Sequence, residues 1–121
     1  MQHAAQAYGT IAKQIANPRE LEANLLLKAA SRLQSISDGW DRRQFDLNDA
    51  LLFNRKLWTI FMTSVMQDNH PLPAEVRQNV ANLGLFVINQ TMSLITDPRP
   101  QRLGSLISIN RELAAGLLGR S

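Results

Sequence analysis

The sequence contains no cysteine. That excludes a disulfide scaffold, cysteine-ligated zinc, iron–sulfur clusters and a thiol nucleophile. Histidine occurs only as His3 and His70, too few imidazoles for an ordinary zinc or non-haem iron site, so neither a metal nor another cofactor is expected. Strand signals are nearly missing: no sustained period-2 alternation occurs, and no Asn-Gly or Asp-Gly joins two apolar runs. The opening residues lack the charged region and apolar block of a secretory signal. The longest uncharged run, residues 78–96, carries Gln78, Asn79, Asn82, Asn89 and Gln90. Such amides are costly in hydrocarbon, so this run reads as a helix of a soluble, cytoplasmic protein and not as a membrane span.

Catalytic signatures are lacking too. There is no Gly-x-Ser-x-Gly, no P-loop, no Gly-x-Gly-x-x-Gly after a strand and no His-Glu-x-x-His. The carboxylates sit mostly at helix starts and in turns, where caps and the helix dipole account for them. No enzymatic activity is expected.

What the sequence does hold is 45% apolar and 19% charged residues in 121 positions, the composition of one globular domain spanning residues 1–121. The net charge is +3 and the isoelectric point about 10.0. Arginine outnumbers lysine, which suits phosphate contacts. Yet the densest basic pair, Arg42-Arg43, is flanked by Asp41 and Asp46, and no aromatic–basic interleaving of an RNA platform is present. Solvated helix faces explain the bases better than a nucleic-acid partner does.

Proline and glycine cut the chain into helical blocks. Residues 1–16 carry Tyr8, Ile11 and Ile15 at helical spacing, either a short first helix or a frayed arm. Asn17, Pro18 and Glu20 form a start signal, followed by Leu21, Leu25, Ala29, Leu33 and Ile36 on one face, and Asp38-Gly39 ends this helix. Asp46 opens the second main helix, whose apolar positions Leu47, Ala50, Leu51, Phe53, Leu57, Trp58, Ile60, Phe61 and Val65 fill more than half its circumference and demand more than one neighbour. Residues 68–73 are a turn, and Pro73 begins the third main helix. Asp97-Pro98-Arg99-Pro100 stops it. The last helix runs from about Gln101 to Leu118, with Gly119 at C′. The expected fold is all-α, a compact bundle of four main helices with a short additional amino-terminal helix as an option.

Four residues stand out inside the blocks. Asn54 and Asn110 lie on otherwise apolar faces, either as buried amides satisfying a loop carbonyl or helix end, or as a register-fixing pair or partner contact. Trp58 and Phe61 share a broad face and read as core anchors. The third main helix carries two stripes about 130° apart: Val80, Leu83, Val87 and Leu94, and Ala81, Leu85, Ile88, Met92 and Ile95. A bundle this small needs one of them for its core. Leu85, Ile88 and Met92, with Ile109 of the last helix lying off that helix's main stripe, are therefore the expected partner-binding surface.

Three stretches read together resemble a known family. They are residues 50–61, containing Asn54-Arg55-Lys56-Leu57-Trp58; residues 83–87, Leu-Gly-Leu-Phe-Val; and residues 106–117, containing Ile109-Asn110-Arg111-Glu112-Leu113-Ala114. Their order and spacing are similar to those of the FlaF family of flagellar biosynthesis regulators, with residues 38–45 the least family-like part. The resemblance implies a small non-enzymatic cytoplasmic protein that binds flagellin as a chaperone for its synthesis and export. It also implies a functional link to FlbT, a post-transcriptional repressor of flagellin. The alternative it leaves open is a regulator of flagellin mRNA, acting by direct RNA binding or through FlbT. The ligand implied is an amphipathic helical segment of flagellin, which would associate prematurely if left uncovered.

Overall fold

The structure, a computed structural model, describes residues 18–119. The arm-or-helix reading of residues 1–16 and the capping role of Asn17 lie outside them. Helix α1 spans Pro18–Asp38, α2 Trp40–Arg43, α3 Leu47–Val65, α4 Ala74–Thr96 and α5 Gly104–Leu117, with 3₁₀ turns at Gln44–Asp46 and Pro100–Arg102. The fold is all-α, with four main helices in a compact arrangement and no strand among the described residues.

The helix ends follow local chemistry. Pro18 occupies the first position of α1, where its missing N–H costs nothing. Asp46 and Pro73 are the residues that immediately precede α3 and α4. Asp97 hands the chain to extended backbone at Arg99. Beyond α5, Gly119 takes φ 73°, the left-handed conformation that glycine adopts without a Cβ clash. The segment between α1 and α3 is not a plain loop: it folds as α2 and a 3₁₀ turn, with Trp40 packed against the core.

Helix α1 packs closely on α5 and on α3, and α3 packs on α4, but α4 and α5 barely meet. Helix α4 is therefore an edge helix held mainly through α3. Arg77 in its second turn reinforces that hold by donating to the carbonyls of Val65 (3.4 Å) and Gln67 (3.0 Å) at the end of α3. Gly84 lets α4 come close, since a Cβ there would lie 2.6 Å from Met62 Cγ.

The core departs from the expected faces in three places. In α1 the buried set is Ala23, Leu26, Ala29, Ala30, Leu33 and Ile36. Leu21 is 47% exposed and Leu25 half-buried, because the small alanines let α1 approach its neighbours along a line rotated from the leucines. In α3, Ile60 is exposed although its helix is apolar over most of its circumference. In α4, Leu83 is exposed, and Gly84 and Thr91 take the buried line with Val80, Ala81, Val87 and Leu94.

Candidate functional site

The centre of the bundle is built around Asn110 of α5. Its Oδ1 accepts from Trp58 Nε1 at 2.9 Å. Its Nδ2 donates to Asn54 Oδ1 at 2.7 Å and to the Leu26 carbonyl at 3.3 Å. One amide thus ties α5 to α3 and α1. The indole N–H can only donate, so it fixes which way the Asn110 amide points, and that in turn turns the Asn54 oxygen inward. Asn54, Trp58 and Asn110 are all fully buried, and Phe61 nearly so. The Trp58 and Phe61 rings meet edge to face, centroids 6.2 Å apart at 83°, a favoured aromatic geometry. Among the described residues Asn54 Nδ2 has no hydrogen-bond partner.

This interior positions the surface of α4. The core side of α4 faces α3, and on its other flank Gln90 and Ser93 touch Arg102 ahead of α5 (Gln90 Nε2 to the Arg102 carbonyl, 3.4 Å; Arg102 to Ser93 Oγ, 2.6 Å). Leu85, Met92 and Ile95 lie on the remaining flank at 58%, 56% and 37% exposure, with Ile88 half-buried beside them. Their spacing at i, i+3, i+7 and i+10 makes one track about 15 Å long at 1.5 Å per residue. No residue from 78 to 96 carries a charge, so the whole helix surface around the track is neutral. Phe86, also exposed, lies on the face away from the core.

Ile109 stands apart from this track. It is half-buried and packs against the core, so the premise that it lacks a core role does not hold. Gln90 and Ser93 of α4 bond to Arg102 in the turn that precedes α5.

A second apolar surface was not read from the sequence. Leu21 and Leu25 of α1 face Leu57, Ile60 and Phe61 of α3 across a half-enclosed groove of about 230 Å³, with Glu22 and Ser64 at its edge. The signal that could have found it is the disagreement in α1 between the leucine stripe and the alanine line. Burial pushes the Glu22 carboxyl above its ordinary range, and the Arg19 guanidinium partly offsets this. Burial, then the positive charges of Arg77 and Arg19, hold His70 below its ordinary value. His70 Nδ1 accepts from the Leu72 amide at 3.2 Å, which fixes the turn into α4.

Polar hollows offer less. One of about 490 Å³ is wide open and lined by Ser31, Ser35, Asp38, Arg43 and Arg111 among others, with Arg43 donating to Ser35 Oγ at 2.7 Å. Among the described residues no group of three His, Asp or Glu side chains could hold a metal ion, and no helix is long and apolar enough to cross a membrane.

Comparison with known proteins gives one match. The family model described as "Flagellar protein FlaF" matches residues 4–117, a span that contains the Asn54–Trp58–Asn110 cluster, the α4 track and the α1/α3 groove. No curated protein and no solved structure matches the chain.

Proposed function

The chain belongs to the FlaF family of flagellar proteins, and on that premise we propose that it binds flagellin in the cytoplasm as a chaperone for flagellin synthesis and export, without catalysing a reaction. The observation that carries this reading is the neutral apolar track of Leu85, Ile88, Met92 and Ile95 on an edge helix that no other part of the described chain covers. An amphipathic helix needs an elongated track of that kind and not a deep pocket. Charge depletion with exposed Met and Phe is the composition of an interface centre, and the flexible thioether of Met92 adapts to differing partner helices. Release at the export gate requires moderate affinity, about −8 to −10 kcal/mol, which is micromolar to sub-micromolar. A functional link to FlbT accompanies the role as a further proposal.

The test is calorimetric titration of flagellin into the wild type, Leu85→Asp and Met92→Asp. Both positions are more than half exposed, so the variants keep the helical signal and melting temperature. The expected result is at least about tenfold weaker binding, a loss of about 1.4 kcal/mol or more. Unchanged affinity in folded variants would remove the track from the reading. Repeating the wild-type titration at rising salt separates the RNA alternative: phosphate-driven binding of flagellin mRNA would collapse, whereas apolar docking of flagellin changes little.

A further inference from the structure

The spacing along the α4 track is informative beyond its exposure. Leu85, Ile88, Met92 and Ile95 recur at steps of three, four and three, and Ala81 and Gln78 continue that rhythm toward the start of the helix. This is the a/d seam of a helix that lies along a second helix at a shallow angle. Among the described residues no helix lies along it: α3 takes the core side of α4, and the turn before α5 takes Gln90 and Ser93.

The charges around the seam select the helix that fits. The run 78–96 is neutral, with Glu75 and Arg77 ahead of it and Asp97 and Arg99 behind it. Its midpoint is Val87. A second α4 laid antiparallel about that point sets neutral surface on neutral surface. In the same register Glu75 comes level with Arg99 of the other copy, and Arg77 level with its Asp97. Both pairs are of opposite sign, and a two-fold axis makes each of them twice. A parallel alignment would instead set Glu75 beside Glu75 and Arg99 beside Arg99, and it would oppose the helix dipoles unfavourably. The charge pattern of α4 is therefore complementary to itself when read backwards.

We propose that a second copy of this chain covers the α4 track, in an antiparallel α4–α4 pair centred on Val87, and that self-pairing and flagellin docking exclude each other. The exclusion rests on the flagellin reading above; the pair does not. The seam from Gln78 to Ile95 is about 25 Å long at 1.5 Å per residue and one helix wide. That lies below the roughly 1,200 Å² of a standard stable interface, so the pair is transient and yields the track to a better-fitting helix.

The pair is tested first without flagellin. Sedimentation equilibrium of the full chain should show monomer and dimer with a dissociation constant on the order of 10–100 μM; a monomer at every concentration up to about 1 mM would overturn the proposal. The absence of cysteine makes the register readable. Gln78 and Thr96 are exposed, lie in line with Leu85 and Met92 at the helical period, and come level with each other across the antiparallel pair. A Gln78→Cys chain and a Thr96→Cys chain, each shown to be folded by circular dichroism, are mixed in equal amounts and mildly oxidised. The mixed 78–96 disulfide should dominate both like-with-like products. A statistical mixture would mean random collision, and dominance of the like-with-like products would mean a parallel pair; either result overturns the proposal. Charge supplies a second arm. Arg99→Glu should weaken dimerisation about three- to tenfold at low salt, and adding Glu75→Arg should restore it, because two exposed pairs change sign together. A double variant as weak as the single one would refute the register. Flagellin is added last and should lower the yield of the 78–96 disulfide. An undiminished yield from protein that binds flagellin would overturn the exclusion alone, whereas protein that dimerises but fails to bind flagellin would overturn the flagellin reading and leave the pair standing.

Discussion

The centre of the bundle and the outer flank of α4 invert the usual partition of residues. In the centre, Asn54, Thr91 and Asn110 are fully buried. On the flank, Leu85 and Met92 face water. Side-chain hydrophobicity therefore does not decide burial here; the neighbours do. In the centre, Asn110 is bonded to Trp58, Asn54 and the Leu26 carbonyl, and Thr91 returns its hydroxyl to the Val87 carbonyl at 2.7 Å, so desolvation is largely repaid by hydrogen bonds. On the flank, α4 is an edge helix, and among the described residues no neighbouring helix arrives to cover the apolar side chains. The first region locks the helices in register, and the second is left for contact.

The sharpest way to break this comparison is at its centre. Trp58→Ala removes a fully buried indole and leaves Asn110 Oδ1 without its donor, an expected loss of about 3–5 kcal/mol in denaturant unfolding. A loss below about 1 kcal/mol would show that the indole is not the centrepiece of the core. The two asparagines should then separate. Asn110→Leu strands both the Trp58 N–H and the Asn54 oxygen, and should cost about 2–3 kcal/mol. Asn54→Leu removes an Nδ2 that has no partner among the described residues together with one acceptor, while Asn110 Nδ2 keeps the Leu26 carbonyl, so its cost should stay within about 1 kcal/mol. Equal losses at the two sites would mean that Asn54 contributes a bond beyond the one to Asn110.

Legibility in the sequence followed the same division. The helix boundaries were readable because Pro18, Asp46, Pro73, Asp97 and Gly119 act locally, through fixed φ, terminal charge or a missing Cβ. Apolar periodicity marked residues 78–96 as a helix with more than one apolar stripe. It could not say which positions would face α3, because Gly84 and Thr91 join the buried line by size and back-bonding and not by hydropathy. The alanine line of α1 hid the groove for the same reason: small residues mark where helices approach, and a hydropathy pattern ranks them below leucine. Asn54 and Asn110 stood out as anomalies on apolar faces, but their mutual bond is a tertiary fact with no counterpart in the spacing of the chain.

Smaller effects test the flank. Leu85→Asp places a carboxylate where water already reaches, so unfolding free energy should change by no more than about 0.5 kcal/mol. That is far less than any truncation of Trp58. A large loss would show that the α4 track is covered in the folded chain, which would erase the contrast between the two regions.

Glu22 lies between the two regimes, half-buried at the edge of the α1/α3 groove, and gives the smallest expected effect. Burial is the leading influence on its carboxyl and favours the neutral acid, with the opposing pull of Arg19 second. The folded state thus holds the proton more tightly than the unfolded chain, whose carboxyl titrates near 4.5. Ionised Glu22 opposes folding once the pH is above the folded value, and the opposition fades as the pH falls through 4.5. Glu22→Gln should accordingly raise the melting temperature slightly at pH 7, with the difference from wild type shrinking on acidification and gone below the unfolded value. A variant that melts lower than wild type at pH 7 would reverse the assignment, because it would mean that the attraction of Arg19 outweighs the cost of burial. Glu22 would then belong with the bonded polar groups of the centre and not with the uncovered edge of the groove.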